Sequence, residues 1–126
     1  MISQIDKTEL LERFLHYVSF HTQSKPHAKH SPSSVGQMKL AMQLQKELIQ
    51  FGLENVEVSK YAVVTAFLPA NDPNLTKTIG LVAHLDTSPQ CSGKNVRPEV
   101  IEEYRGGDIA LGRNLLALFI ILLCKN

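Results

Sequence analysis

Thr78-Ile79-Gly80-Leu81-Val82-Ala83-His84-Leu85-Asp86-Thr87 is the stretch on which the fold turns. Thr78 to Ala83 is a short continuous apolar run bounded by polar residues. A run of that length predicts a strand buried on both faces. A strand of this kind belongs to a sheet covered by helices, which is an α/β arrangement. Two shorter strands precede it. Val56 and Val58 alternate with Glu57 and Ser59, the period of a half-buried strand. Ala62 to Leu68 is β-rich, stops at Pro69 and reads as the second arm of a hairpin. Pro69 to Asn74 is a turn.

Further back the period lengthens to that of a helix. Met38, Ala41, Leu44, Leu48 and Phe51 recur at helical spacing after a Ser33 or Ser34 cap. Gly52 stands where a left-handed residue closes such a helix. An earlier helix, from about Lys7 to about Ser19, starts at Asp6 with Glu9 three residues on and carries Leu10, Leu11, Phe14, Leu15 and Val18. His21 to Ser34 has no period and contains Pro26 and Pro32, so it is a loop. Past the decisive stretch, Ser88 to Gly112 is polar and turn-rich, with one helical turn expected near Glu99 to Tyr104. The order is helix, helix, strand, strand, strand. Three strands are too few for a complete doubly wound sheet, so the sheet is incomplete.

The chain has 126 residues, 44% of them hydrophobic, which fits a globular chain of one domain or part of one. Thirteen Lys and Arg face 12 Asp and Glu, a formal charge of +1. Nucleic acid is not the expected partner, because phosphate binding needs a marked basic excess. No membrane partner is expected either. The longest apolar run, Leu115 to Cys124, has ten residues, and a spanning helix needs about 20. Cys91 and Cys124 read as free thiols, and the first residues lack the order of a signal peptide, which together point to the cytoplasm.

His84-x-Asp86 at the carboxyl end of a buried strand is the sharpest chemical feature. Open α/β sheets hold ligands at that end. Imidazole ligates zinc well, and a neighbouring carboxylate fixes its tautomer. The plainer reading of the same three letters is a strand-end His with an Asp capping the next turn. His27 and His30, with His21 nearby, lie in a Pro/Ser loop without Cys or carboxylate neighbours and read as solvated. His16 borders the first helix's apolar stripe. Cys91, seven residues after His84, invites a Cys/His nucleophile pair, against which stands the commoner small buried Cys. Ser88 and Ser92 lack a nucleophile elbow, and Gly106-Gly107-Asp108 lacks the pattern of a phosphate loop.

The run His84-Leu85-Asp86-Thr87-Ser88-Pro89-Gln90-Cys91-Ser92-Gly93-Lys94-Asn95-Val96 resembles the first metal-ligand block of the peptidase T family, the tripeptide aminopeptidases among the M20-type dizinc metallopeptidases. Glu103-Tyr104-Arg105-Gly106-Gly107-Asp108-Ile109-Ala110-Leu111-Gly112 resembles the block that follows it there. Leu10 to Leu15, Tyr17-Val18-Ser19 and Thr22-Gln23-Ser24 match the family's amino terminus. The resemblance implies that residues 1–112 are the amino-terminal portion of a zinc-exopeptidase-like catalytic domain. It implies His84 as a ligand of one zinc and Asp86 as the carboxylate, part of the catalytic set, that orients it. It also implies a tripeptide substrate, two zinc ions per complete protein, and further ligands and a general-base glutamate in later segments. With one ligand of that set, the 126-residue chain is expected to be inactive by itself.

Residues 113–126 do not continue the resemblance. Leu115 to Cys124 is apolar all round, with no amphipathic period. That change is the one expected of a reading-frame shift or a truncated gene. Two other readings stand beside the enzyme fragment. One is a non-enzymatic remnant that self-associates through a free sheet edge and the apolar tail. The other is an M20-type amidohydrolase of N-acyl amino acids, against which the Tyr104 to Gly112 block argues.

Overall fold

A computed structural model of the chain describes residues 6–74 and 76–109. Helix α1 is Lys7–Val18. The Asp6 side chain caps it, accepting from the Thr8 amide at 2.9 Å and the Glu9 amide at 3.2 Å. Glu9 does not turn back toward the cap; its carboxylate pairs with Arg13 one turn on. Helix α2 is Val35–Gln50 with Ser34 at its N-cap and Phe51 at its C-cap. Gly52 follows at φ 78°, and its amide donates to Ile49 at 3.0 Å while that of Leu53 donates to Leu48 at 3.1 Å. This pair of bonds satisfies carbonyls that a helix end leaves free, and it needs the left-handed residue the sequence supplies.

Strands β1 (Glu54–Val58) and β2 (Val64–Phe67) form an antiparallel hairpin with Val58 opposite Val64 and Glu54 opposite Phe67. A bulge lies between Glu54 and Glu57, where Asn55 adopts φ 51°. Ala62, expected to open the second strand, belongs instead to the turn: it sits at φ 60°, and the Ser59 amide donates to the Val63 carbonyl at 2.9 Å. Among the described residues, Leu40, Ala41 and Ala62 are the buried apolar residues, with Ala41 fully enclosed. The Gln45 side-chain amide donates to the Val56 carbonyl at 3.3 Å and so joins α2 to β1.

α1 meets α2 through polar groups more than through its stripe, in which Leu10, Leu11 and Phe14 remain exposed. The Tyr17 hydroxyl donates to Glu47, Gln43 donates to the same carboxylate at 2.7 Å, and Arg13 stands 3.5 Å from it. The Arg13 guanidinium also lies 4.1 Å from the centre of the Phe51 ring. Burial pushes the Glu47 carboxyl up, but the Tyr17 and Gln43 hydrogen bonds and the Arg13 charge outweigh it and leave the group below its ordinary value.

The decisive stretch departs from expectation. Residues 78–83 form no strand, and Leu81 and Val82 are 94% and 100% exposed. A strand buried on both faces needs a partner on each side and a layer over each face. Among the described residues the hairpin pairs only with itself and no layer covers 78–83. The apolar run is therefore present without the surroundings that would make it a strand. The Glu99 to Tyr104 segment likewise forms a turn at Glu102 and Glu103 and no helix. Among the described residues the fold is thus two helices and one two-stranded sheet, an open α/β fragment. The apolar stretch Leu115 to Cys124 and the rest of 113–126 lie outside the described residues.

Candidate functional site

Residues 84–87 are held against the loop between the helices. Thr22 is buried, and its carbonyl accepts from the Gln37 side chain of α2 at 3.1 Å. Gln37 also donates to Ser33 Oγ at 3.0 Å and accepts from the Ser33 amide at 2.9 Å, so one buried amide fixes both ends of the loop. Gly36 allows this closeness: a Cβ there would lie 1.8 Å from the His21 carbonyl oxygen. Residues 22–24 then run parallel to 86–88 through a bridge between Gln23 and Thr87. The Ser24 amide donates to the Thr87 carbonyl at 3.0 Å, and the Thr87 amide donates to Thr22 at 3.4 Å. The Gln23 side chain extends the seam, donating to the Pro89 carbonyl at 3.0 Å and accepting from the Gly93 amide at 3.4 Å.

On that seam the Asp86 carboxylate lies between two groups. Its Oδ1 is 3.0 Å from His84 Nδ1, and its Oδ2 accepts from the Ser24 hydroxyl. The Ser24 bond is the main reason the Asp86 carboxyl sits below its ordinary value; partial burial opposes it and the His84 bond adds to it. The His84 side chain is 83% exposed and that of Asp86 is 44% exposed. With an ionised carboxylate as acceptor, His84 Nδ1 carries the proton, and Nε2 keeps a lone pair free for a ligand. The ring thus stands beside the carboxylate as the sequence suggested, on a segment that is not a strand.

The remaining candidates do not assemble a site. His27 and His30 line the same open concavity as His84 and Asp86, together with Tyr61 and Val63 of the hairpin turn. No group of three His, Cys, Asp or Glu side chains able to hold a metal ion converges among the described residues. One imidazole with its carboxylate fits the way proteins present a zinc-binding histidine, but a zinc site takes three or four ligands. Cys91 is exposed, not the small buried residue that composition favours, and Arg105 pairs with Glu103 at 3.2 Å on the surface. No helix among the described residues is long and apolar enough to cross a membrane. Sequence reading missed the roles of Ser24 and Gln37. Both act through groups that only the folded chain brings near, and no local pattern announces them.

No family model matches the chain. A protein named Peptidase T from Haemophilus influenzae strain PittGG is 99% identical over 112 residues, which is 89% of this chain. Proteins of the same name from Pasteurella multocida and Edwardsiella ictaluri are 62% identical over 112 residues and 57% identical over 103 residues, 89% and 82% of this chain. The chain spans about a quarter of these relatives, 27% of the first two and 25% of the third. Over the matched residues the chain is therefore a homologue of proteins named Peptidase T, and it corresponds to 27% of the length of the Haemophilus relative.

Proposed function

We propose that residues 1–112 form the amino-terminal part of the catalytic domain of a cytoplasmic M20-type zinc aminopeptidase that releases the first residue of tripeptides. The observation that carries this reading is the His84 Nδ1 to Asp86 Oδ1 bond at 3.0 Å, made by an imidazole side chain that is 83% exposed. The near-identity to proteins named Peptidase T supports the peptidase class. In this reading His84 is a ligand of one of two zinc ions. Asp86 sets the ring's tautomer and direction and strengthens its basicity. Zinc, when bound, supplies Lewis acidity and an activated water for peptide hydrolysis. The residues of this chain hold and orient one ligand, and the other ligands and the general base come from elsewhere in a complete protein.

The test joins this segment to the remaining length of the Haemophilus relative. The joined protein should release the first residue of a tripeptide, and a chelator should abolish that activity. His84→Ala should remove most of it, and Asp86→Asn should lower it by about 10–100-fold. The 126-residue chain with added zinc should show no cleavage above buffer. Tripeptide cleavage by the short chain in a His84-dependent way would overturn the reading. Activity of the joined protein on N-acyl amino acids alone would assign it to the amidohydrolases.

A second reading concerns the isolated chain. Ile79, Leu81 and Val82 are exposed, and the outer edge of β2 has no partner among the described residues. An open edge beside exposed apolar side chains is a template for pairing. Self-association of the short chain is proposed on that ground. Sedimentation velocity should show concentration-dependent species that Leu81→Lys with Val82→Lys suppresses.

A further inference from the structure

The His84 and Asp86 pair has a third member that comes from a distant part of the chain. Ser24 lies 62 residues before Asp86, yet its hydroxyl donates to Asp86 Oδ2. Its backbone is fixed by the amide bond to the Thr87 carbonyl at 3.0 Å. Gln23, beside it, is fixed by its side-chain bonds to Pro89 and Gly93. Thr22, on the other side of Gln23, is buried and tied to Gln37 of α2. The hydroxyl is therefore delivered from an anchored strip to a carboxylate that is 44% exposed.

That exposure makes the third member matter. The terminal torsion of an aspartate is broad and two-fold, so an exposed carboxylate held by one partner samples a wide range of angles. An ionised carboxylate only accepts. With the serine proton on Oδ2, Oδ1 is left facing His84, and the imidazole must place its proton on Nδ1 to meet it. Removing the hydroxyl takes away the donor that holds Oδ2 and lets the carboxylate turn away from the ring.

We propose that Ser24 is a positioning residue that locks the Asp86 carboxylate and thereby holds His84 in the Nδ1–H tautomer with Nε2 directed outward. The functional meaning of that lock rests on His84 being a zinc ligand; the lock itself does not. The experiment is a long-range proton–nitrogen correlation of the His84 ring in the full 126-residue chain without metal, at a pH where the ring is neutral. Wild type should show Nδ1–H as the dominant form. Ser24→Ala should move the population toward Nε2–H, and Ser24→Thr, which keeps the hydroxyl, should restore it. Asp86→Asn should shift it at least as far as Ser24→Ala. Amide signals of α2 report whether each variant stays folded. If Ser24→Ala does not, Ser24→Cys, of similar shape but a poor donor, gives the same readout. An unchanged His84 tautomer in a folded variant lacking the hydroxyl overturns the proposal, as does failure of Ser24→Thr to restore it. Zinc added to the wild-type chain separates the two ideas. A His84 ring that ignores zinc contradicts the ligand reading, while the tautomer shift by itself upholds the role of Ser24.

Discussion

Residues 6–67 and residues 76–109 make different use of apolar sequence. In the first region two helices and a hairpin satisfy backbone groups among near neighbours, and Leu40, Ala41 and Ala62 are buried. In the second region Ile79, Leu81 and Val82 are more apolar than most of the hairpin, yet they lie open to solvent. The described hydrogen bonds that tie this region to the earlier one all reach residues 22–24. Helices and hairpins close their hydrogen bonds locally, so their own residues carry most of the signal that shapes them, even though packing supplies much of their stability. A strand buried on both faces gains nothing until sheet neighbours and covering layers surround it. The site residues stand on the second kind of segment, and the seam with residues 22–24 is what places them.

The largest expected effect breaks that seam at its base. Gly36→Ala puts a methyl group against the His21 carbonyl, which is backbone and cannot rotate aside. Chemical denaturation should show a loss of about 3 kcal/mol or loss of the cooperative transition, at the upper end of overpacking effects. Leu40→Ala comes next, at about 2 kcal/mol, the low end for a leucine in a core this small. Gln37→Ala leaves the Thr22 carbonyl without its α2 partner and should lower stability by about 1–2 kcal/mol, with the loop amides of 22–24 losing exchange protection before those of β1.

The contrast also has a pH test. The Glu47 carboxyl, held below its ordinary value by Tyr17, Gln43 and Arg13 against the opposing effect of burial, binds protons more weakly folded than unfolded. Its contribution is therefore present above the unfolded value of about 4.3 and is lost as pH falls through the lower folded value. Amide exchange should show α1 loosening first in that acid window while β1 and β2 stay protected. Glu47→Gln should flatten this dependence. At the small end, Leu81→Asn should change stability by less than about 0.5 kcal/mol, because an exposed side chain has little burial to lose. A loss comparable with that of Leu40→Ala would mean that 78–83 is packed after all, and the contrast between the regions would fail.

The same division explains what could be read from the letters. The spacing of Leu10 to Val18 and of Met38 to Phe51, the cap at Asp6, and Gly52 each encode structure within a few residues, and the helices appear where they say; Ser34 takes the N-cap position of α2, but its side chain makes no capping hydrogen bond. The alternation at Val56 and Val58 gave the hairpin its first strand. Thr78 to Ala83 misled because its apolar character states a requirement for neighbours, not their presence. At the site, His84-x-Asp86 was visible as a pair because its members are two residues apart. Ser24 carries no such local signal, since nothing in Thr22-Gln23-Ser24 shows a hydroxyl reaching a carboxylate 62 residues away.

The central proposal is that His84 offers one ligand of a metal site, the other members of which do not converge with it among the described residues. Its most direct test is a zinc titration of the 126-residue chain followed at the ring nitrogens of all five histidines. The predicted result is a shift at His84 Nε2 that saturates only at large excess of zinc and disappears in His84→Ala. Two zinc ions bound tightly and stoichiometrically, or a response at other histidines with His84 silent, would contradict it.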